Sequence, residues 1–277
     1  MQGWSAAGRS DLVNMQRQPI TERLRGGPDK AEKKISLIRL VPNAVTILAL
    51  CCGLTAIRHG LEGRFEMSVA ILFIAALLDG IDGRIARLMK VESKIGAQLD
   101  SLVDFLNFGI APVLLVYMWG MADMERLGWL AMLTFTVCAA LRLARFNVQA
   151  GDPDRPVWRD SFFTGMPSPA AGMLVLVPLI LEFSGIPDMK RFYVAICFYT
   201  ICLGALMVSN IPTPSAKRLS FRFKRRQSLV VLLTFGLLAG TLLTFPWVGL
   251  LLIGAVYILS LPVTAWQFYQ IKSKNVV

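Results

Sequence analysis

The sequence predicts an all-α, polytopic membrane helix bundle, and three features carry that expectation. Hydrophobic residues make up 55% of the 277 residues and mean hydropathy is +0.57, more apolar than an ordinary soluble domain. Runs such as Ser228 to Trp266 contain no charged residue. They are far longer than a buried core helix and read as membrane spans. Basic residues alternate between rich and poor loops, as a chain obeying the positive-inside rule should arrange them.

Eight spans are expected, roughly at 40–58, 66–88, 97–119, 128–148, 167–184, 192–210, 228–245 and 247–267. Residues 1–36 are polar, Gly-bearing and basic, and read as a flexible cytoplasmic tail. The segment before span one carries Arg17, Arg23, Arg25, Lys30, Lys33, Lys34 and Arg39. Basic residues recur at Lys90 and Lys94, at Arg155 and Arg159, and from Lys217 to Arg226. The opposite-side loops hold few, so both termini should face the cytoplasm. Pro246 splits the long C-terminal apolar stretch into two spans. Those spans follow a basic linker and hold no acids. Residues 219–277 therefore read as two additional helices on a core over residues 37–218.

Lys plus Arg total 29 against 18 acids, a net charge of +11. No motif of nucleic-acid recognition accompanies it, so no nucleic-acid partner is expected. The excess suits cytoplasmic loops and anionic headgroups. The five cysteines sit in apolar runs without a CxxC pair, which reads as small buried hydrophobes rather than disulfides or zinc ligands.

The acids near spans two and three raise the functional question. Asp79, Asp82, Gly83 and Ala86 are three and four residues apart and share one helix face. Gly96, Asp100 and Asp104 are four apart and share another, and the short linker makes the two helices antiparallel neighbours. A charged group at membrane depth costs at least ~2.5–3.5 kcal/mol by insertion scales, so something positive must compensate. One answer is ion pairing with Arg84, Arg87, Lys90 and Lys94. The other is a hard divalent cation, Mg²⁺ or Mn²⁺ with Ca²⁺ as a further candidate, for which carboxylate-rich sites are suited. Four acids are enough for two ions, which together clamp a phosphoryl displacement. Gly83 and Gly96 each cost roughly 1 kcal/mol against Ala in a helix. Close approach of a ligand or close helix packing would account for them.

Asp79-x-x-Asp82-Gly83-x-x-Ala86-Arg87, then eight residues, then Gly96-x-x-x-Asp100-x-x-x-Asp104 resembles the signature of the CDP-alcohol phosphotransferase family at all eight defining positions. The resemblance implies an integral-membrane enzyme with a six-helix core that displaces CMP from a CDP-linked substrate with a hydroxyl, assisted by divalent metals. It implies that Asp79, Asp82 and Asp100 are metal ligands and that Asp104 is the general base beside the second metal. Gly83 and Ala86 would line the nucleotide pocket, and Arg87 and Ser93 would contact the CDP-linked substrate. Pro42-Asn43-Ala44-Val45-Thr46 is similar to the family's Pro-Asn-x-x-Thr element. Asn43 and Thr46 offer donors for phosphate or ribose oxygens at a helix N-terminus, where anions are favoured; a plain helix cap is the bland reading.

The acceptor is carried by other stretches. Arg142 and Arg145 lie in the inner half of span four, where they either snorkel to headgroups or meet a carboxylate or phosphate. Arg142-x-x-Arg145-Phe146-Asn147, the Gly165-x-Pro167-x-Pro169-Ala170-Ala171 turn, and Met207-Val208-Ser209 followed by Lys217 resemble the membrane-integral bacterial branch of the family that uses L-serine. That branch moves a phosphatidyl group from CDP-diacylglycerol to L-serine and releases CMP. A phospholipase D-type route needs paired His-x-Lys motifs, and the single histidine, His59, followed by Gly60 and Leu61, excludes it; His59 itself reads as solvated. Sister enzymes using glycerol 3-phosphate, inositol, inositol phosphate or choline are the nearest alternative. A divalent-cation transporter is the alternative from another class. A homodimer is the expected assembly.

Overall fold

The computed structural model describes residues 41–89, 93–150, 162–209, 212–214 and 225–275. The tail over 1–36, Lys90, the loop bearing Arg155 and Arg159, and the linker from Lys217 to Lys224 lie outside the described residues. The chain runs α1 (Val41–Leu61), α2 (Phe65–Met89) and α3 (Lys94–Asp104), then a π-helical stretch over Phe105–Ile110. It continues as α4 (Ala111–Val116), a second π stretch (Tyr117–Met121), a 3₁₀ turn (Ala122–Met124) and α5 (Glu125–Ala150). A strand β1 (Phe162–Thr164) precedes α6 (Ser168–Val175), α7 (Val177–Phe183), a 3₁₀ turn (Met189–Phe192) and α8 (Tyr193–Val208). A strand β2 (Pro212–Pro214), α9 (Arg225–Thr244) and α10 (Pro246–Asn275) complete the chain.

Among the described residues, three helical stretches are long and apolar enough to cross a membrane: Val41–Leu61, Ile95–Gln149 and Met189–Val208. Leu232–Thr244 and Pro246–Pro262 are shorter apolar helices. Helix α2 has the length of a span, 25 residues, but carries Asp79 and Asp82 within it. The outer surface is rich in large apolar side chains. Leu77 is 67% exposed and Leu243 87%, which water would penalise and lipid tails would not. Cys51 and Cys202 also lie on that exposed surface, whereas Cys197 is buried; the expectation that all five cysteines are buried holds only in part.

Two details depart from an uninterrupted bundle. The span expected over 167–184 is broken at Leu176. Pro178 has no N–H to give the Leu174 carbonyl, and the Tyr199 hydroxyl donates to that oxygen instead, at 2.7 Å. The second departure is a short antiparallel ribbon, β1 against β2, pairing Phe162 with Pro214 and Thr164 with Pro212. Gly165, at φ +80°, turns the chain out of the ribbon, and a side chain there would collide with the Met207 and Ser209 carbonyls.

The core lies where α4 and the π stretches meet α5, α6 and α8, around fully buried Phe108, Leu115, Met121, Phe135, Leu176 and Met207. Pro112 removes the N–H that a regular helix would offer the Phe108 carbonyl, and the π stretch lies just before it. Gly172 lets α6 close on this stretch: a Cβ there would stand 2.7 Å from Phe108 O. Within the π stretch, fully buried Asn107 donates from Nδ2 to Ala49 O of α1 at 3.2 Å. Gly53 leaves the room this needs, since its Cβ would collide with Asn107 Oδ1. These contacts tie the π stretch that follows α3 to the middle of α1 and to α6.

Candidate metal centre

Ser93 caps α3. Its backbone is extended and its Oγ accepts the Gly96 N–H at 2.9 Å, satisfying one of the free donors of the first turn. Helix α3 thereby starts beside α1, and a Cβ at Gly96 would stand 2.7 Å from Asn43 Oδ1. Close packing against Asn43 and Ser93 therefore accounts for Gly96. Gly83 differs, because a Cβ built there meets nothing within 4 Å. Packing against the described residues does not account for that glycine. Ala86 and Arg87 lie in the same helix, but their side chains are outside the described residues.

Asp79, Asp82 and Asp100 each turn a carboxylate oxygen into a common space, the three oxygens lying within 4.8 Å of one another. Asp82 is 3% exposed. Thr46 Oγ1 donates to Asp82 Oδ2 at 2.7 Å, with the Pro42 carbonyl at 3.1 Å as its other acceptor. The Thr46 hydroxyl is thus engaged with a site carboxylate. Asp79 Oδ1 and Asp82 Oδ1 are buried without a hydrogen-bond partner. Asp104 stands outside the group of three, one helical turn beyond Asp100. Its carboxyl lies close to that of Asp79 and within electrostatic reach of Arg142.

Among the described residues, none of the four aspartates is in a salt bridge. Arg84 points to the exterior; the side chains of Arg87, Lys90 and Lys94 are outside the described residues. Three converging carboxylates, with two orphaned buried oxygens and no nitrogen or sulfur among them, fit a hard divalent cation. The acids also gather at one end of α2 and the facing stretch of α3. An ion path would spread them through the depth of several helices.

Span four supplies the neighbouring cations. Arg142 Nη1 donates to the Ser168 hydroxyl at 3.1 Å, and the guanidinium lies 5.4 Å from the centre of the Phe146 ring. Arg145 Nη1 donates to the Val208 carbonyl at 3.0 Å, at the C-terminal end of α8 where a helix favours positive charge. Asn147 Nδ2 reaches Ser101 Oγ on α3 at 3.2 Å. Arg142 also lies within electrostatic reach of Asp104, while Arg145 is committed to the end of a helix. Sequence reasoning missed Ser168, which is 3% exposed. The signal was available, since an arginine in an apolar span needs an acceptor and a Pro-Ser-Pro turn offers one.

Comparison with known proteins agrees with this geometry. A sequence profile described as CDP-alcohol phosphatidyltransferase matches residues 39–213. A second, described as CDP-alcohol phosphatidyltransferase 2, matches residues 227–262. Curated relatives are named CDP-diacylglycerol–serine O-phosphatidyltransferase. The Mycobacterium leprae protein is 38% identical over 177 residues, 63% of this chain and 58% of the relative. The Helicobacter pylori protein is 32% identical over 195 residues, covering 69% and 78%. The Bacillus subtilis protein is 34% identical over 178 residues, covering 64% and 92%. The chain thus spans under two thirds of its mycobacterial relatives. With the first profile matched over residues 39–213, more than half of its length, the chain belongs to the CDP-alcohol phosphatidyltransferase family.

Proposed function

We propose that this integral membrane protein transfers the phosphatidyl group of CDP-diacylglycerol to the hydroxyl of L-serine, giving phosphatidylserine and CMP. The observation that carries the reading is the meeting of the unpaired carboxylates with Arg142, in a chain whose relatives are named for that reaction. Asp79, Asp82 and Asp100 would hold the metal, with Asp104 beside a second ion of the same kind, Mg²⁺ or Mn²⁺. Bound there, divalent cations neutralise charge on the diphosphate oxygens and on the departing CMP. Thr46 fixes the Asp82 carboxylate. Asp104 accepts the proton of the serine hydroxyl as its oxygen attacks the lipid-side phosphorus and the bond to CMP breaks. No nucleophilic Ser or Cys lies among the residues described at the aspartate cluster, which favours direct displacement. Arg142, with donors beyond the one given to Ser168, holds the serine carboxylate or a phosphate. Asn43, Gly83, Ala86, Arg87, Ser93 and Gly96 surround the nucleotide.

In this reading residues 37–218 form a six-helix core, residues 219–277 add two spans, and residues 1–36 are a cytoplasmic tail. The termini and the site face the cytoplasm of a bacterial inner membrane, and the protein works as a homodimer. Membranes containing the protein, given CDP-diacylglycerol and each radiolabelled acceptor in turn, test the activity. Label should enter lipid from serine, with stoichiometric CMP, and the incorporation should cease after exhaustive chelation and return with Mg²⁺ or Mn²⁺. Label entering from glycerol 3-phosphate, inositol, inositol phosphate or choline would replace serine as the acceptor. Turnover that survives chelation would remove the metal.

A further inference from the structure

Beside the aspartates lies a cavity of about 850 Å³ between α2, α6, α7 and the last helix, α10. Phe73 and Leu77 of α2, Met173 of α6 and Ile253 of α10 represent its almost wholly apolar lining, and among the described residues its ionisable side chains are Asp79 and Tyr257. Helix α10 is thus a wall of a space that opens onto the metal ligands, and not a detached addition to the bundle.

Tyr257 is the unexplained element of that wall. Its hydroxyl is buried, in a protein interior where a polar group is nearly always paired. Yet it has no hydrogen-bond partner among the described residues. The phenol interacts electrostatically with Arg142, and Arg142 in turn with Asp104. An orphaned neutral donor therefore lines the same apolar cavity as Asp79, with the Arg142 guanidinium within electrostatic reach of it. The chemistry that would satisfy all of this is an amphiphile, with acyl chains in the cavity and an anionic head between Tyr257 and Arg142.

We propose that Tyr257, on the last helix, donates a hydrogen bond to a phosphate oxygen of the diacyl donor lipid, and that α10 forms the wall against which that lipid's chains pack. The inference rests on the proposed phosphatidyl transfer and assigns a substrate contact to residues outside the aspartate signature. Tyr257 acts on binding and not on the chemical step. Its loss weakens donor affinity by the worth of one hydrogen bond to a charged group, about tenfold.

The test is steady-state kinetics of the full-length protein in lipid nanodiscs. Tyr257→Phe should raise KM for CDP-diacylglycerol about tenfold, leaving KM for serine and kcat near wild type. Stabilisation by added CDP-diacylglycerol in a thermal melt should fall in step. A second variant reads the wall separately. A Cβ at Gly254 would lie 3.4 Å from Leu174 Cδ2, so Gly254→Leu projects into the cavity and should depress turnover of dioleoyl donor more than dihexanoyl donor. An unchanged donor KM in Tyr257→Phe, or a rise in serine KM instead, would overturn the phosphate contact. Equal effects on long and short donors in Gly254→Leu would overturn the wall. If the wild-type chain uses another acceptor, only the serine reading fails, and the same comparisons are made with that acceptor. If it turns over no CDP-linked lipid with any acceptor, both fail.

Discussion

The two ends of the α1–α2 pair treat carboxylates in opposite ways. Where α1 hands over to α2, Glu62 is surrounded by bases. Arg58 Nε lies 3.1 Å away, Arg64 Nη2 3.3 Å and His59 Nδ1 3.3 Å, that nitrogen making no hydrogen bond among the described residues. His59, expected to be merely solvated, belongs to this group, with its side chain 20% exposed. At the other end, on the order of 20 Å along α2 at 1.5 Å per residue, Asp79, Asp82 and Asp100 converge with no basic partner among the described residues. The same chemical group is neutralised by the protein in one place and left for something else in the other. A carboxylate that the fold has already paired needs no ligand. Three that it has gathered, with no ion-pair partner among the described residues and Asp82 nearly fully buried, suit a cation.

The largest effect that would sharpen this contrast is the loss of Asp104. It stands beside the group of three and within electrostatic reach of Arg142, and the proposed function makes it the base. Asp104→Asn should cut turnover about 10²–10⁴-fold, the usual worth of a general base, while CDP-diacylglycerol binding persists. Turnover near wild type would take the base role away from Asp104. Next comes Thr46, whose hydroxyl orients Asp82. Thr46→Val keeps the shape and removes the donor, and should weaken Mn²⁺ affinity about 10–100-fold, as loss of an outer-shell partner does. Thr46→Ser should restore it. Equal Mn²⁺ titrations for Thr46→Val and wild type would reduce the Thr46–Asp82 bond to a helix-packing contact.

How far the sequence reveals these arrangements depends on the range of the contact. The spacing of Asp79, Asp82, Asp100 and Asp104 is local, and helical periodicity alone places each pair on one face. The break at Pro246 is equally local: α9 ends at Thr244 and α10 begins at Pro246. What periodicity does not carry is the partner across the bundle. Thr46 offers its hydroxyl to a residue 36 positions away, and Arg142 to one 26 positions away. From sequence, Thr46 reads as a ligand donor and Arg142 as either snorkelling or anion-binding. The division of the span over 167–184 was half visible, since Pro178 announces a break. Tyr199, which takes over the Leu174 carbonyl, does not show itself. Asn107 and Tyr257 look like ordinary members of apolar spans until the orphaned Asn107 Oδ1 and Tyr257 hydroxyl are seen in place.

The smallest expected effect comes from the paired end and serves as the control for all the others. Desolvation pushes the Glu62 carboxyl up, but the hydrogen bond from Arg58 and the charges of Arg64, Arg58 and His59 prevail and hold it below the usual carboxylate range. A carboxyl lowered by folding stabilises the native state above its unfolded pKa, and that contribution disappears as pH falls through the lowered value. Glu62→Gln should therefore leave phosphatidyl transfer and its metal requirement unchanged. It should slightly lower the melting temperature at neutral pH, and the gap from wild type should close in acid. Because the group is on the surface, added salt should shrink the same gap. Melting curves of both proteins from pH 7 down to pH 3, with turnover measured at neutral pH, make the comparison. A Glu62→Gln protein that lost turnover or its metal response would mean that the two ends are coupled through α2, and the contrast between a paired structural acid and an unpaired site acid would no longer hold.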